Sequence, residues 1–250
     1  MIKNWVLTIK WWVFYLPFSL IKIAPAMSRL EKRVDELSFL DYKKEAAIIA
    51  TKWAKGQVEA VGLSEEKGTL DVVGLDNLIK DRPALFVSNH QGIFDTAIVM
   101  AYLDIPKSYI AKVELSKIPL LGKFMAFTGC IFIDRNDPKN QLKSIMTGID
   151  YLKRGLSVCV YPEGTRGEDA TLGEFKAGTF KLATKTGVPI VPITLNGTFD
   201  LLERNKFRFT AGTKAQIVVH KPIETENMTK EEKAKINVVV QEIVDSALWK

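Results

Sequence analysis

Cysteine and histidine are scarce in this 250-residue chain: two of each, Cys130 and Cys159, His90 and His220. Two cysteines exclude a disulfide scaffold and any multi-thiolate zinc site, and two histidines leave no material for a His-rich metal centre. There is no G-x-S-x-G elbow to present a nucleophilic serine. Long hydrophobic runs are missing as well. The uncharged stretch between Lys10 and Lys22 is broken by Pro17 and falls short of the roughly 20 apolar residues of a spanning helix.

What is present suits a folded protein with an anionic partner. Hydrophobic residues make up 47% and charged residues 26%, enough for a sizeable core. The net charge of +6 favours a phosphorylated small molecule, a membrane surface or nucleic acid. Nucleic acid fits the charge alone, because no basic helix, zinc motif or aromatic ladder accompanies it.

The first 35 residues carry six basic and two acidic side chains. With Trp5, Trp11, Trp12 and Tyr15 they suit a helix lying in an anionic leaflet. A tilted span, packing on the protein's own body and a cleaved signal are the alternatives. Ala24-Pro25-Ala26 resembles a signal-peptidase site, but Lys22 before it and Arg29, Lys32 and Arg33 after it oppose export. Ser28 and Glu31 form a capping-box start for a helix running to Lys55. Residues 1–55 therefore read as a membrane-associating two-helix segment turned at Ala24-Pro25, ahead of an α/β domain over 56–250.

In that domain, short apolar runs alternate with helical patterns. Strands are expected at 57–61, 69–73, 84–88, 108–111, 130–133, 157–161, 190–195 and 215–220, and helices at 96–104, 116–126, 139–153, 174–186 and 230–248. Runs apolar on both faces predict a mixed, partly parallel sheet flanked by helices, preceded by the helical hairpin.

The chemistry-bearing residues follow strands. Asn89-His90-Gln91-Gly92-Ile93-Phe94-Asp95 comes after 84–88, at the carboxyl end where α/β sheets place their sites. On a regular helix His90 and Asp95 would point about 140° apart. A bend at Gly92 can curl the carboxylate back to fix the imidazole tautomer and free the other nitrogen as a base. The plainer alternative is that Asp95 only caps the following helix. Both cysteines lie in apolar strands as inert thiols, so such a base would activate a hydroxyl of the substrate. Arg135, and the tight loop Glu163-Gly164-Thr165-Arg166, are basic features suited to an anion. Glu163 can only accept and suits orienting an arginine or an amide. Lys112 and Lys176 are weaker candidates.

Together these segments resemble the glycerolipid acyltransferase family that includes 1-acyl-glycerol-3-phosphate acyltransferases. Its motifs N-H-x-x-x-x-D, G-x-I-F-I-D-R, F/Y-P-E-G-T-R and V-P-I appear in order as Asn89–Asp95, Gly129–Arg135, Tyr161–Arg166 and Val191–Ile193. The resemblance implies acyl transfer from acyl-CoA or acyl-carrier protein to lysophosphatidic acid, giving phosphatidic acid without a cofactor. It also implies His90 as general base oriented by Asp95. Lys112, Arg135, Glu163, Gly164, Thr165 and Arg166 would shape the substrate site, on the cytoplasmic face of the cell membrane. Other acceptors and a lipid or thioester hydrolase are the alternatives. Gly92 and Tyr161 stand where the family more often has Ser and Phe.

Overall fold

The computed structural model describes residues 2–167 and 169–249. Seven short strands form one sheet: β1 (Leu70–Val73), β2 (Leu85–Ser88), β3 (Lys107–Lys112), β4 (Ile131–Ile133), β5 (Ser157–Val160), β6 (Ile190–Asn196) and β7 (Ala215–Val219), in the order β1-β7-β6-β2-β5-β3-β4. From β6 to β4 every neighbouring pair is parallel. The β6–β7 pair is antiparallel, and β1 pairs parallel to β7.

Alternation along the central strands sorts the core into two layers, because successive side chains point to opposite faces. Leu85, Val87, Val158, Val160 and Ile190 pack on one face, against α6 (Pro138–Lys153), α7 (Lys181–Thr186) and α9 (Lys230–Ser246). Phe86, Cys159, Val191 and Ile193 pack on the other, against α3 (Phe39–Ala60) and α4 (Phe94–Tyr102). Both cysteines are free thiols, and burial pushes each up to about 12. Neither is a thiolate at neutral pH.

The amino-terminal helices form a hairpin, but its turn is not where the sequence placed it. α1 (Ile2–Ile9), a π-helical turn (Lys10–Tyr15) and α2 (Leu16–Glu31) run on as one helix. The widened turn directly precedes Pro17 and gives its ring room against the preceding turn. Pro25 stays inside α2. It forfeits one hydrogen bond, but the turns around it are pinned. Ser19 Oγ receives Trp53 Nε1 at 3.0 Å and Gln57 Nε2 at 2.9 Å, and Met27 and Leu30 are buried. The chain reverses only after Glu31, and the cap of α3 is Ser38, whose Oγ accepts from the Asp41 N–H at 3.1 Å. The expected Ser28 cap therefore lies in the last turn of α2.

The expected strand at 57–61 is likewise the last turn of α3. Ala46, Ala50, Ala54 and Val58, four residues apart, form a buried stripe of mostly small side chains that seats α3 closely on α4. That periodic contact overrides the local β-branched signal of Val58. The helices expected at 116–126 and 174–186 each divide into a 3-10 turn and a short α-helix, with α5 (Leu121–Phe127) in the first. A further short helix, α8 (Thr198–Leu201), follows β6.

Trp11 joins the long helix to the α/β body. It is 5% exposed and lies 5.3 Å from the Phe94 ring and 5.2 Å from the Phe209 ring. Thr8 Oγ1 accepts from Phe209 N–H, and Asn4 Oδ1 from Ala211 N–H. The same helix exposes Ile9, Val13, Phe14, Phe18 and Ile21, while its exposed Trp5 ring lies over the Arg208 guanidinium.

Lys107 opens β3 at the sheet edge away from His90. Its buried ammonium donates to the carbonyls of Leu103 and Ile105. Burial lowers its pKa from 10.5 to about 8. Between those values the unfolded chain binds more protons than the folded one, so stability rises with pH across that window; the gain is lost as pH falls through about 8. The wild type is expected to gain on Lys107→Met in melting temperature as pH rises from about 8 to 10.5. A gap independent of pH would remove this ionisation from the stability of the fold.

Candidate active site

The five strands β6, β2, β5, β3 and β4 run the same way, so their carboxyl ends open on one edge. At the end of β2, the Asn89 side chain takes over the pairing with β6. Its Nδ2 donates to Leu195 O, and its Oδ1 accepts from Leu195 N–H, both at 2.8 Å. This anchors the residue immediately before His90.

The following bend is wrapped around the Asp95 carboxylate. Asp95 Oδ2 accepts from the N–H groups of Gln91 at 2.7 Å and Gly92 at 2.8 Å, and lies 2.7 Å from His90 Nδ1. Asp95 is wholly buried in the first turn of α4, while the His90 side chain is 19% exposed. An ionised carboxylate only accepts, so Nδ1 carries the proton and Nε2 presents a lone pair. In this chain the bend packs closely against the start of α8 and Glu203, and glycine at 92 leaves the room. A Cβ there would lie 2.9 Å from the Thr198 carbonyl oxygen and 2.8 Å from Glu203 Oε2.

The Tyr161–Arg166 loop, after β5, closes on this bend from the neighbouring strand. The Tyr161 ring stacks on the imidazole at 4.2 Å and 19°, and its hydroxyl meets Thr96 Oγ1 at 3.2 Å. Burial holds the Tyr161 phenol well above its ordinary pKa, so it stays neutral. Glu163 Oε1 accepts from the His90 N–H at 2.6 Å, and Oε2 from the Gly173 N–H at 2.8 Å. Both oxygens are thus taken by backbone amides, so Glu163 shapes the site by fixing loops. Burial raises its pKa, with the two amides opposing the rise.

Arg166 is one-third exposed and pairs through Nη1 with Glu203 Oε1 at 2.8 Å. The same oxygen accepts from Ile93 N–H at 2.8 Å. Gly164 adopts a left-handed backbone at φ 77°, and its hydrogen faces the Lys176 ammonium, which a Cβ would approach to 2.8 Å. Thr165 is exposed. The structure therefore gathers His90, Asp95, Glu163, Gly164 and Arg166 in two adjoining loops. Lys112, the last residue of β3, and Arg135, just after β4, stand further along the same edge, both exposed. The end of β4 is three strand spacings from β2, roughly 14 Å. His220 follows β7, which runs the opposite way, and its Nε2 is engaged by Thr194 Oγ1 at 2.8 Å. Burial lowers its pKa, and it has no part in this edge.

Three contributors were not singled out from the residues alone. Asn89 and Tyr161 lie within recognisable motifs, whereas Glu203 lies outside all of them. The model of the family described as Acyltransferase matches residues 69–196, just over half of the chain. The protein belongs to the acyltransferase family. The family match runs from β1 to the end of β6 and takes in every residue of the two loops, while Glu203 lies beyond it.

Among relatives of this acyltransferase, a chloroplastic 1-acyl-sn-glycerol-3-phosphate acyltransferase of Brassica napus is 38% identical over 156 residues. The match covers 61% of this chain and 44% of that one. The chain thus spans less than half the length of that relative, and the same holds for the Arabidopsis thaliana protein at 43%. The 1-acyl-sn-glycerol-3-phosphate acyltransferase of Borreliella burgdorferi is 28% identical over 171 residues, 68% of each chain. The crystal structure of the LPA acyltransferase PlsC from Thermotoga maritima superposes with a TM-score of 0.82 at 25% identity. It covers 100% of this chain and 98% of that one. The fold likeness therefore extends past the family match, into the long amino-terminal helices and the carboxyl-terminal α9.

Proposed function

We propose that this acyltransferase moves a fatty acyl group from an acyl thioester, acyl-CoA or acyl-carrier protein, to the sn-2 hydroxyl of 1-acyl-glycerol-3-phosphate, giving phosphatidic acid. The observation that carries the reading is the 2.7 Å contact between His90 Nδ1 and a fully buried Asp95, in a bend that adjoins the Arg166 loop. The names of the similar proteins supply the acceptor.

The chemistry follows from the tautomer. His90 Nε2 takes the proton of the acceptor hydroxyl as its oxygen attacks the thioester carbonyl carbon. Asp95 stabilises the imidazolium that forms and stays ionised. The tetrahedral intermediate expels the thiolate as the carbon–sulfur bond breaks, and the imidazolium proton neutralises the sulfur. The acyl group passes directly between substrates, in keeping with cysteines held near 12. Tyr161 walls one face of the imidazole.

Arg166 holds the acceptor phosphate at the near end of the edge, with Thr165 and the Gly164 backbone beside it. Lys112 and Arg135 extend the positive field along the edge toward the substrates' remaining phosphates. The exposed apolar side of the long helix lies in the cytoplasmic leaflet as an interfacial anchor, so the soluble thioester and the lipid acceptor reach one site.

Thiol release measured across a panel of acceptors tests the reading. Release that depends on lysophosphatidic acid, and exceeds that with glycerol 3-phosphate or larger lysophospholipids, supports it. Release independent of any acceptor would make the protein a thioester hydrolase. Arg166→Ala is expected to raise the acceptor KM about 10- to 100-fold, since a hydrogen bond to a charged group contributes about 1.5–3 kcal/mol. The thioester KM should stay near its wild-type value. An unchanged acceptor KM would remove phosphate binding by Arg166.

A further inference from the structure

Glu203 follows α8 in a 3-10 turn, Glu203–Asn205, beyond the residues that carry the family match. Its carboxylate joins the two loops of the site. The single oxygen Oε1 accepts from the backbone of Ile93, three residues after His90, and from Arg166 Nη1, both at 2.8 Å. The side chain is only 9% exposed. The second oxygen, Oε2, is buried without a hydrogen-bond partner among the described residues, in the space that the missing Gly92 Cβ leaves open.

The turn that presents this carboxylate is itself immobilised. Leu201 and Leu202 before it are wholly buried, as is Phe209 after it. Thr210 N–H donates to Leu201 O at 2.8 Å, and Phe207 N–H to Leu202 O at 3.1 Å. A carboxylate held this far from water is costly unless it is paired. Its partner here is Arg166, whose guanidinium presents five donors in a rigid plane. Fixing Nη1 on Glu203 orients that plane and leaves the other donors free for an acceptor in front of it.

We infer that Glu203 is a positioning residue for acyl transfer: it sets the Arg166 guanidinium at a fixed place relative to the His90 bend, so that an acceptor phosphate bound to the arginine brings its hydroxyl to the imidazole. The inference rests on the proposed role of Arg166 at the acceptor phosphate. It adds a reason for glycine at position 92, because the carboxylate and a Cβ there would compete for the same space.

A double-mutant cycle on the full-length protein tests it, with lysophosphatidic acid varied at saturating acyl-CoA. Glu203→Gln keeps the shape and removes the charge. It is expected to raise the acceptor KM about 10-fold, a loss of the size of one charge-assisted hydrogen bond, with the acyl-CoA KM changed less than about twofold. In the Arg166→Ala background the same substitution should change the acceptor KM by less than about twofold, because the group it positions is gone. A purely structural role would alter both Michaelis constants and would act equally in both backgrounds. Equal fold-changes in the two backgrounds, or an unchanged acceptor KM, would overturn the inference. Glu203→Asp, which keeps the charge and withdraws it by one methylene, gives the same comparison if the glutamine variant does not fold. A wild type that releases no thiol on addition of lysophosphatidic acid overturns the acceptor reading together with this inference, whereas an active wild type with an uncoupled cycle overturns the Glu203 role alone.

Discussion

Replacing His90 with alanine is expected to abolish lysophosphatidic-acid-dependent thiol release while leaving the melting temperature near the wild-type value. General-base catalysis contributes on the order of 10²- to 10⁴-fold in rate, so turnover should fall by at least that factor. The fold should tolerate the change because the loop is not held by the imidazole. Asp95 keeps the amide hydrogen bonds from Gln91 and Gly92, Glu163 keeps the backbone N–H of residue 90, and Asn89 keeps both bonds to Leu195. The ring contributes one polar contact and a stacked face for Tyr161. An Asp95→Ala variant would be a poorer test, since it strips two buried amides of their acceptor as well as releasing the histidine. Turnover of His90→Ala within tenfold of wild type would remove the imidazole as the base.

The second large effect is expected at the amino terminus. Val13, Phe14 and Phe18 are 59%, 65% and 68% exposed on the outer side of the long helix. Aspartate at all three positions is expected to move the protein from vesicles to the supernatant in a sedimentation assay. Each apolar side chain that enters a lipid environment contributes about 1.5–3 kcal/mol when fully transferred. Losing three should lower partitioning by at least about 10³-fold, before any penalty for the new charges. Retention on membranes would place the anchor elsewhere on the protein. Truncation of residues 1–55 cannot serve the same purpose. It would remove Trp11, Leu20, Met27 and Leu30, together with the Ala46, Ala50 and Ala54 stripe that seats α3 on α4, all of them buried in the main core. Those helices belong to the hydrophobic interior, so a shortened chain would report on folding rather than on the membrane.

The sheet was legible in the sequence because its central strands are covered on both faces. Continuous apolar runs such as Leu85–Ser88 and Ser157–Val160 have few other uses. The His90–Asp95 bend was legible because all its parts lie within seven consecutive residues. Elsewhere, local signals gave way to packing. Ala24-Pro25 carries a strong breaker, yet Ser19 is tied to Trp53 and Gln57, and the helix continues through it. Residues 57–61 hold β-branched side chains, yet Val58 completes a stripe that starts at Ala46. Gly92 reads from the sequence as a bend, whereas its close packing against the Thr198 carbonyl, more than a hundred residues away, emerges only in the fold. Glu203 is a lone acidic residue in a polar turn, 110 residues from Ile93 in sequence. No periodicity or spacing could have singled it out.

Under the proposed interfacial anchoring, the contact of Trp11 with Phe94 and Phe209 would tie the depth of the site to that of the outer helix. Phe94 precedes Asp95 directly, so the indole of the outer helix bears on the very turn that steers the imidazole. If the proposed acceptor is the substrate, His90 held through this contact would meet a lysolipid that rises toward it out of the leaflet.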